Sequence, residues 1–161
     1  MRTGIARLLL IALFVAAPAA ARAQGGAISL ADYIEIQNLY ARYNHAHDSS
    51  SRKILESVFT EDAEFINNGK AIKGREMINA TVVAKERPLV RHVATSITVD
   101  PAPGGVKGSS YVVLVNTQSS PAGIMLAGYY DDMLVKTAQG WRFKTRTFYP
   151  QSAPPAAAPV K

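Results

Sequence analysis

Between Ser29 and His47 the apolar and aromatic positions Ile36, Leu39, Tyr40, Tyr43 and His47 recur at intervals of three and four, which predicts a helix with one buried face. Ser29-Leu-Ala-Asp32 is a capping-box-like start, and Asp48-Ser-Ser-Ser51 breaks the helix and can cap a second. Ile54, Leu55, Val58 and Phe59 predict that short second helix. Ala63–Gly74 reads as two extended pieces around an Asn-Asn-Gly turn. A third helix runs from Gly74 to about Lys85, with Met77, Ile78, Val82 and Ala84 as its apolar positions, and Arg87-Pro88 ends it. Beyond Pro88 the pattern is that of strands: Leu89–Val99, Tyr111–Gln118, Ile124–Thr137 and Trp141–Tyr149, separated by turns rich in Gly, Pro and Ser. Three helices followed by an antiparallel meander predict an α+β fold, with helices packed on one face of a curved sheet. Such a sheet leaves a cone whose mouth can take a small molecule.

The N-terminus changes the picture of compartment and charge. Arg2 and Arg7 precede the apolar run Leu8–Ala17, and Ala21-Arg22-Ala23 has the small-x-small form of a signal-peptidase site. Residues 1–23 are therefore expected to be a signal peptide, too short in its apolar part to span a bilayer, and the mature chain is expected to be secreted or periplasmic, with no membrane partner after cleavage. Its removal takes away three arginines and lowers the formal charge from +6 to +3. With no basic run, this mild excess points to no nucleic-acid partner. The chain has no cysteine, so no disulfide framework, thiol nucleophile or zinc–thiolate site is available. Residues 24–149 are expected to form one domain, and the Pro/Ala-rich end 150–161 a disordered tail.

Candidate chemistry concentrates in Arg42–Asp48, RYNHAHD, in a chain with only three histidines. Residues two apart on a helix point about 200° apart, so His45 and His47 cannot chelate one ion, and no metal site is expected. His45 falls on the polar face. His47 shares the stripe of Tyr40 and Tyr43, and either lines the pocket mouth or packs. Asp48, at the helix end, can turn toward a cavity or cap the next helix, although Ser49, Ser50 and Ser51 can also cap. By alternation His92, Ala94, Ser96 and Thr98 share one face of their strand, a small and polar surface that leaves room for a ligand. Tyr130 and Asp132 share a face with Gly128. Asp132 either faces the pocket or pairs with a basic residue. Arg146 alternates with Arg142 and Lys144, consistent with a solvated basic face.

The segments IQNLYARYNHAHD (Ile36–Asp48), VFTEDAEF (Val58–Phe65), IKG (Ile72–Gly74), RHVATS (Arg91–Ser96), GYYDD (Gly128–Asp132) and GWRFKTR (Gly140–Arg146) carry a resemblance. In this order and spacing the chain resembles the SnoaL-like branch of the NTF2-like superfamily, including the scytalone dehydratase and bile-acid dehydratase type of lyase, over about Leu30–Tyr149. The resemblance implies a cystatin-like roll, a cone-shaped sheet wrapped around three N-terminal helices. It also implies that Asp48 pairs with His92, that Tyr43 polarises a substrate oxygen, and that Arg146 stands near the leaving group. An Asp–His pair suits proton transfer, because the carboxylate fixes the tautomer and orientation of the ring while the other nitrogen meets the substrate proton. Two departures narrow the substrate. Asn67 stands where steroid isomerases of the superfamily have a carboxylate base, and His47 stands where scytalone dehydratase has a tyrosine.

The expected function is a small-molecule lyase or isomerase with no cofactor, catalytic through Asp48, His92, Tyr43 and Arg146. His47, Ser96, Tyr130 and Asp132 would contact a small hydrophobic or hydroxylated ring substrate. The resemblance further implies a homodimer formed through the outer sheet face. The alternative is a non-catalytic periplasmic module of the same fold that binds a small ligand or only dimerises.

Overall fold

The computed structural model describes residues 27–83 and 89–151. The expected signal peptide, the chain beyond Gln151, Ala84 and the Arg87-Pro88 helix stop lie outside the described residues. The order is α1 (Leu30–Asp48), α2 (Arg52–Glu56), β1 (Phe59–Asn67), β2 (Lys70–Lys73), α3 (Arg75–Val83), β3 (Val90–Ala102), β4 (Gly105–Asn116), β5 (Gly123–Thr137) and β6 (Gly140–Gln151). The molecule is α+β, with the helices against one face of a single curved six-stranded sheet of order β2-β1-β6-β5-β4-β3. All neighbours are antiparallel except β1 and β6, which run parallel. Among the described residues no helix is long and apolar enough to cross a membrane.

The predicted stripe of α1 is the one that is buried: Ile36, Leu39, Tyr40, Tyr43 and His47, with Ala46, face the sheet. The second helix is shorter than its pattern suggested. It stops at Glu56, and Val58 and Phe59 are buried as the entry to β1: the Val58 carbonyl accepts from the Phe143 N–H at 2.8 Å. Pairing with β6 therefore outcompetes one further helical turn. Ile78 and Val82 of α3 are buried, but Met77 is exposed. The Asn-Asn-Gly turn is a tight hairpin, with Asn68 and Gly69 both at positive φ as a two-residue type I′ connection requires. The strands on either side of Pro103-Gly104 run further into the PAPGG segment than composition indicated.

Besides an irregularity in the pairing of β1 with β6 between Phe59 and Glu64, bulges in β3, β5 and β6 decide which residues face inward. In β3 the register with β4 shifts between Thr95 and Thr98, with Ser96 at φ +53°. Val90 and His92 are buried before the bulge, whereas Ile97 and Val99 pack against the core after it. In β5 the shift falls at Met125. In β6 it falls at Lys144, so that Trp141 and Phe143 are buried before it and Arg146 and Phe148 after it.

The N-terminal half of α1 is latched to the β5–β6 hairpin. Ser29 caps the helix, and Asp32 accepts from Trp141 Nε1 at 2.8 Å and Lys136 Nζ at 2.6 Å. Glu35 accepts from the Trp141 N–H at 2.8 Å. Its carboxylate occupies the space a Cβ would take at Gly140, whose φ of +98° also calls for glycine. Hydrogen bonds from Lys136, Trp141 and Ser29 hold the Asp32 pKa down at about 2, below the ordinary 3.8. A depressed carboxylate pKa stabilises the fold above the unfolded value, and that contribution is lost as pH falls from about 4 to about 2. Asp32→Asn is expected to lower stability by about 1 kcal/mol at pH 7 and to flatten the loss between pH 4 and pH 2. Chemical denaturation of both proteins across this range checks it.

Candidate active site

The C-terminal turn of α1 releases Asp48 from helical duty. Ser50 adopts a left-handed φ of +50°, and the Ser49 and Ser51 N–H groups close the helix onto the His45 and Ala46 carbonyls. Ser51, not Asp48, caps α2 by accepting from the Ile54 N–H. The Asp48 side chain therefore crosses to β3 and holds His92 at two points. Its carboxylate accepts from the His92 backbone N–H at 3.1 Å and meets the ring Nδ1 at 2.7 Å. His92 is 4% exposed at its side chain and Asp48 15%, so the contact is shielded but its carboxylate edge reaches the surface.

His92 is also part of the wall of a cavity of about 180 Å³. Tyr43 and His47 enter that wall from α1, Tyr130 from β5 and Phe148 from β6. The ring centroid of His47 lies 4.6 Å from that of Tyr43 and 4.8 Å from that of His92, so two imidazoles and a phenol form a row along one side. Asn67 and Thr81 add polar groups, and Phe65, Ile72, Val82, Leu114 and Leu126 are apolar. Among the described residues lining the cavity there is no lysine, arginine, aspartate or glutamate. Burial raises the Tyr43 and Tyr130 pKa values above the ordinary 10, so both phenols stay protonated hydrogen-bond donors at working pH.

Three expected site residues stand elsewhere. Ser96 is exposed and turned from the cavity, because the bulge in β3 breaks the alternation that would have aligned it with His92. Asp132 does not line the cavity; it accepts from the Tyr40 hydroxyl at 2.7 Å and from Arg146 Nη1 at 3.1 Å. Arg146 is neither on a solvated basic face nor against the cavity. The bulge at Lys144 turns it inward, where it has no exposure and lies behind the tyrosines, 3.6 Å from the Tyr130 ring centre and 4.1 Å from that of Tyr43. Tyr43, His47, His92 and Tyr130 line the cavity, with Asp48 bound to His92. The apolar wall was not singled out from sequence. Its residues, with Phe148 included, come from five strands and a helix, and no local period marks them as one surface. Tyr40, read only as core, is the second partner of Asp132.

The Arg146–Asp132 pair makes removal of either partner asymmetric. Burial raises the Asp132 pKa to about 6, against the lowering effects of Arg146 and Tyr40. A folded carboxyl above its unfolded value binds extra protons, so this group makes stability fall as pH rises from about 4 to 6. Asp132→Asn leaves a guanidinium that cannot shed its charge and is expected to cost about 3–5 kcal/mol. Arg146→Met allows Asp132 to take up a proton instead. Its stability is expected to be closer to wild type at pH 5 and to fall more steeply toward pH 8, as urea denaturation at both values would show.

This fold recurs in solved structures. A Nostoc punctiforme protein of unknown function with a cystatin-like fold superposes with a TM-score of 0.71 at 18% identity, covering 81% of this chain and 98% of that one. A Mycobacterium tuberculosis protein of unknown function gives 0.71 at 25% identity, covering 81% and 84%. A candidate scytalone dehydratase of Novosphingobium aromaticivorans gives 0.65 at 24% identity, covering 76% and 86%. No curated protein matches the chain. The model of the SnoaL-like domain matches residues 29–147, nearly all of the folded part described above, and the chain belongs to that family.

Proposed function

We propose that the protein is a cofactor-independent lyase or isomerase for a small neutral ring compound, with Asp48 and His92 as a proton-transfer dyad. The observation that carries this reading is the carboxylate that grips both the backbone N–H and Nδ1 of His92 while the same ring borders the cavity. With Nδ1 committed to Asp48, the other ring nitrogen takes the proton from a carbon next to a carbonyl. The C–H electron pair passes to the carbonyl oxygen as an enolate, which Tyr43 and Tyr130 stabilise by donating hydrogen bonds. In an elimination the enolate collapses, a double bond forms, and the β-hydroxyl departs as water with the proton that His92 had taken, which returns the ring to neutral. In an isomerisation the proton returns to another carbon. Asp48 acts as a positioning residue throughout and compensates the imidazolium.

Arg146 and Asp132 enter this scheme behind the cavity wall rather than at the leaving group. Dehydration of a hydroxylated cyclic ketone is the leading version. The N-terminal signal-peptide pattern supports action outside the cytoplasm. The outer sheet face supports a homodimer: Tyr111, Tyr129 and Tyr149 stand in register across β4, β5 and β6, with Tyr129 and Tyr149 stacked at 4.7 Å and exposed Val93 on β3 beyond them. Equilibrium sedimentation at micromolar concentration is expected to give twice the monomer mass; monomer alone would remove the dimer.

Turnover is tested on a panel of single-ring β-hydroxy ketones, followed by the absorbance of the conjugated product. Asp48→Asn and His92→Gln are each expected to lower kcat by about 10²–10⁴-fold while calorimetric ligand affinity changes little. Ring compounds that bind the wild type without turning over, and bind Asp48→Asn equally well, would establish a ligand-binding module instead.

A further inference from the structure

The cavity is polar at two depths. Tyr43, His47, His92 and Tyr130 are buried in its wall, whereas Asn67 and Thr81 are exposed and so mark its mouth. Asn67 reaches the cavity by strand alternation. Ala63 and Phe65 precede it on the inner face of β1, and both are buried. Parallel pairing sets Asn67 beside Phe148 of β6, whose side chain belongs to the same wall. The Asn68-Gly69 turn begins at the next residue, so a tight hairpin fixes the strand end that carries the amide. A polar group that continues an apolar inner face calls for a partner. Among the described residues the Asn67 amide hydrogen-bonds to no protein group.

The two side chains at the mouth offer complementary hydrogen bonds. Thr81 Oγ1 donates to the Met77 carbonyl at 2.9 Å, a back-bond within α3 that uses its one proton. Its lone pairs remain, so toward a ligand Thr81 is an acceptor only. The Asn67 amide brings two N–H donors and a carbonyl acceptor. A ligand hydroxyl fits both, accepting from Asn67 Nδ2 and donating to Thr81 Oγ1. An ether or carbonyl oxygen can use the first of these alone, and a methyl group neither. Among the described residues no charged side chain lines the cavity, so a ligand ammonium or carboxylate would lose hydration there without a counter-charge. A volume of about 180 Å³ suits a single ring, since an apolar cavity of about 150 Å³ takes benzene.

We propose that Asn67 and Thr81 form a second polar subsite, at the mouth of the cavity, that selects single-ring ligands carrying a hydroxyl on the side of the ring away from the reacting carbon. Holding that remote hydroxyl orients the ring, so that the carbon next to the carbonyl meets His92 at the buried end. The inference rests on the proton-transfer reading for which end of the ligand lies deep, but the subsite is measurable as binding without turnover.

The probes are 4-hydroxy-, 4-methoxy- and 4-methylcyclohexanone, which differ only in the group remote from the carbonyl. None carries a hydroxyl β to the carbonyl, so none can eliminate water, and calorimetry reads affinity alone. The wild type is expected to bind the hydroxy ketone about tenfold more tightly than the methyl ketone, with the methoxy ketone between them, at roughly 2–10-fold for each hydrogen bond. Asn67→Leu is expected to remove the advantage of methoxy over methyl and most of that of hydroxy. Thr81→Val is expected to bring the hydroxy ketone down to the methoxy ketone and to leave methoxy ahead of methyl. Circular dichroism verifies the fold of each variant, and Asn67→Ala takes the place of Asn67→Leu if the latter does not fold. No binding of any probe at millimolar concentration, or equal affinity for all three, overturns the proposal. So does a hydroxyl preference that survives both substitutions, since the hydroxyl would then lie at the buried end against the phenols and imidazoles. The preference without turnover of any β-hydroxy ketone would retain this subsite and remove the elimination; turnover without the preference would do the reverse.

Discussion

A guanidinium with no exposure stands inside this small core, and a charge in a low-dielectric interior has to be answered by its immediate neighbours. Asp132 supplies the counter-charge, Tyr40 supports Asp132, and four aromatic faces surround the cation. These groups come from α1, β5 and β6, so the need to compensate one charge ties the long helix to the centre of the sheet. The demand extends to β4. A Cβ on Gly108 would meet the Tyr40 hydroxyl and the Leu134 side chain, so only glycine there lets the helix approach closely enough for Tyr40 to reach Asp132.

The same helix face then serves the cavity. One stripe with a period of three and four carries Tyr40 into the charge cluster, and Tyr43 and His47 into the cavity wall. Just past the stripe, a left-handed Ser50 ends the helix and sends Asp48 across to β3. The Asp48–His92 contact and the cavity tyrosines are therefore positioned by one helix packed against a single sheet. A rigid mounting of this kind keeps these side chains at fixed separation without depending on loop order.

Much of this was legible along the chain. The α1 stripe, the Ser29 cap, the Asn68-Gly69 hairpin and the four long strands each follow from local chemistry: side-chain periodicity, hydrogen-bonding side chains at helix ends, and the backbone freedom of Asn and Gly. Tyr43, His47 and Asp48 were readable because they lie on one helix, where sequence spacing is a direct measure of direction. The strand residues were harder. Simple alternation is valid only until the first bulge, and an extra residue in a strand leaves no local mark in composition. Alternation put Ser96 on the face of His92 for this reason, and offered for Arg146 a basic outer face shared with Arg142 and Lys144 beside the place near the leaving group that the resemblance implied.

The sequence by itself determined the α+β order, the buried face of α1 and the residue types available for acid–base chemistry, because each depends on neighbours within a few positions. Only the tertiary structure decided that Asp48 grips His92 across 44 positions, that Arg146 lies behind the cavity wall, and that Asp132 is its counterion. Those facts depend on inter-strand register and on how a buried charge is compensated, and both are set by contacts between segments distant in the chain.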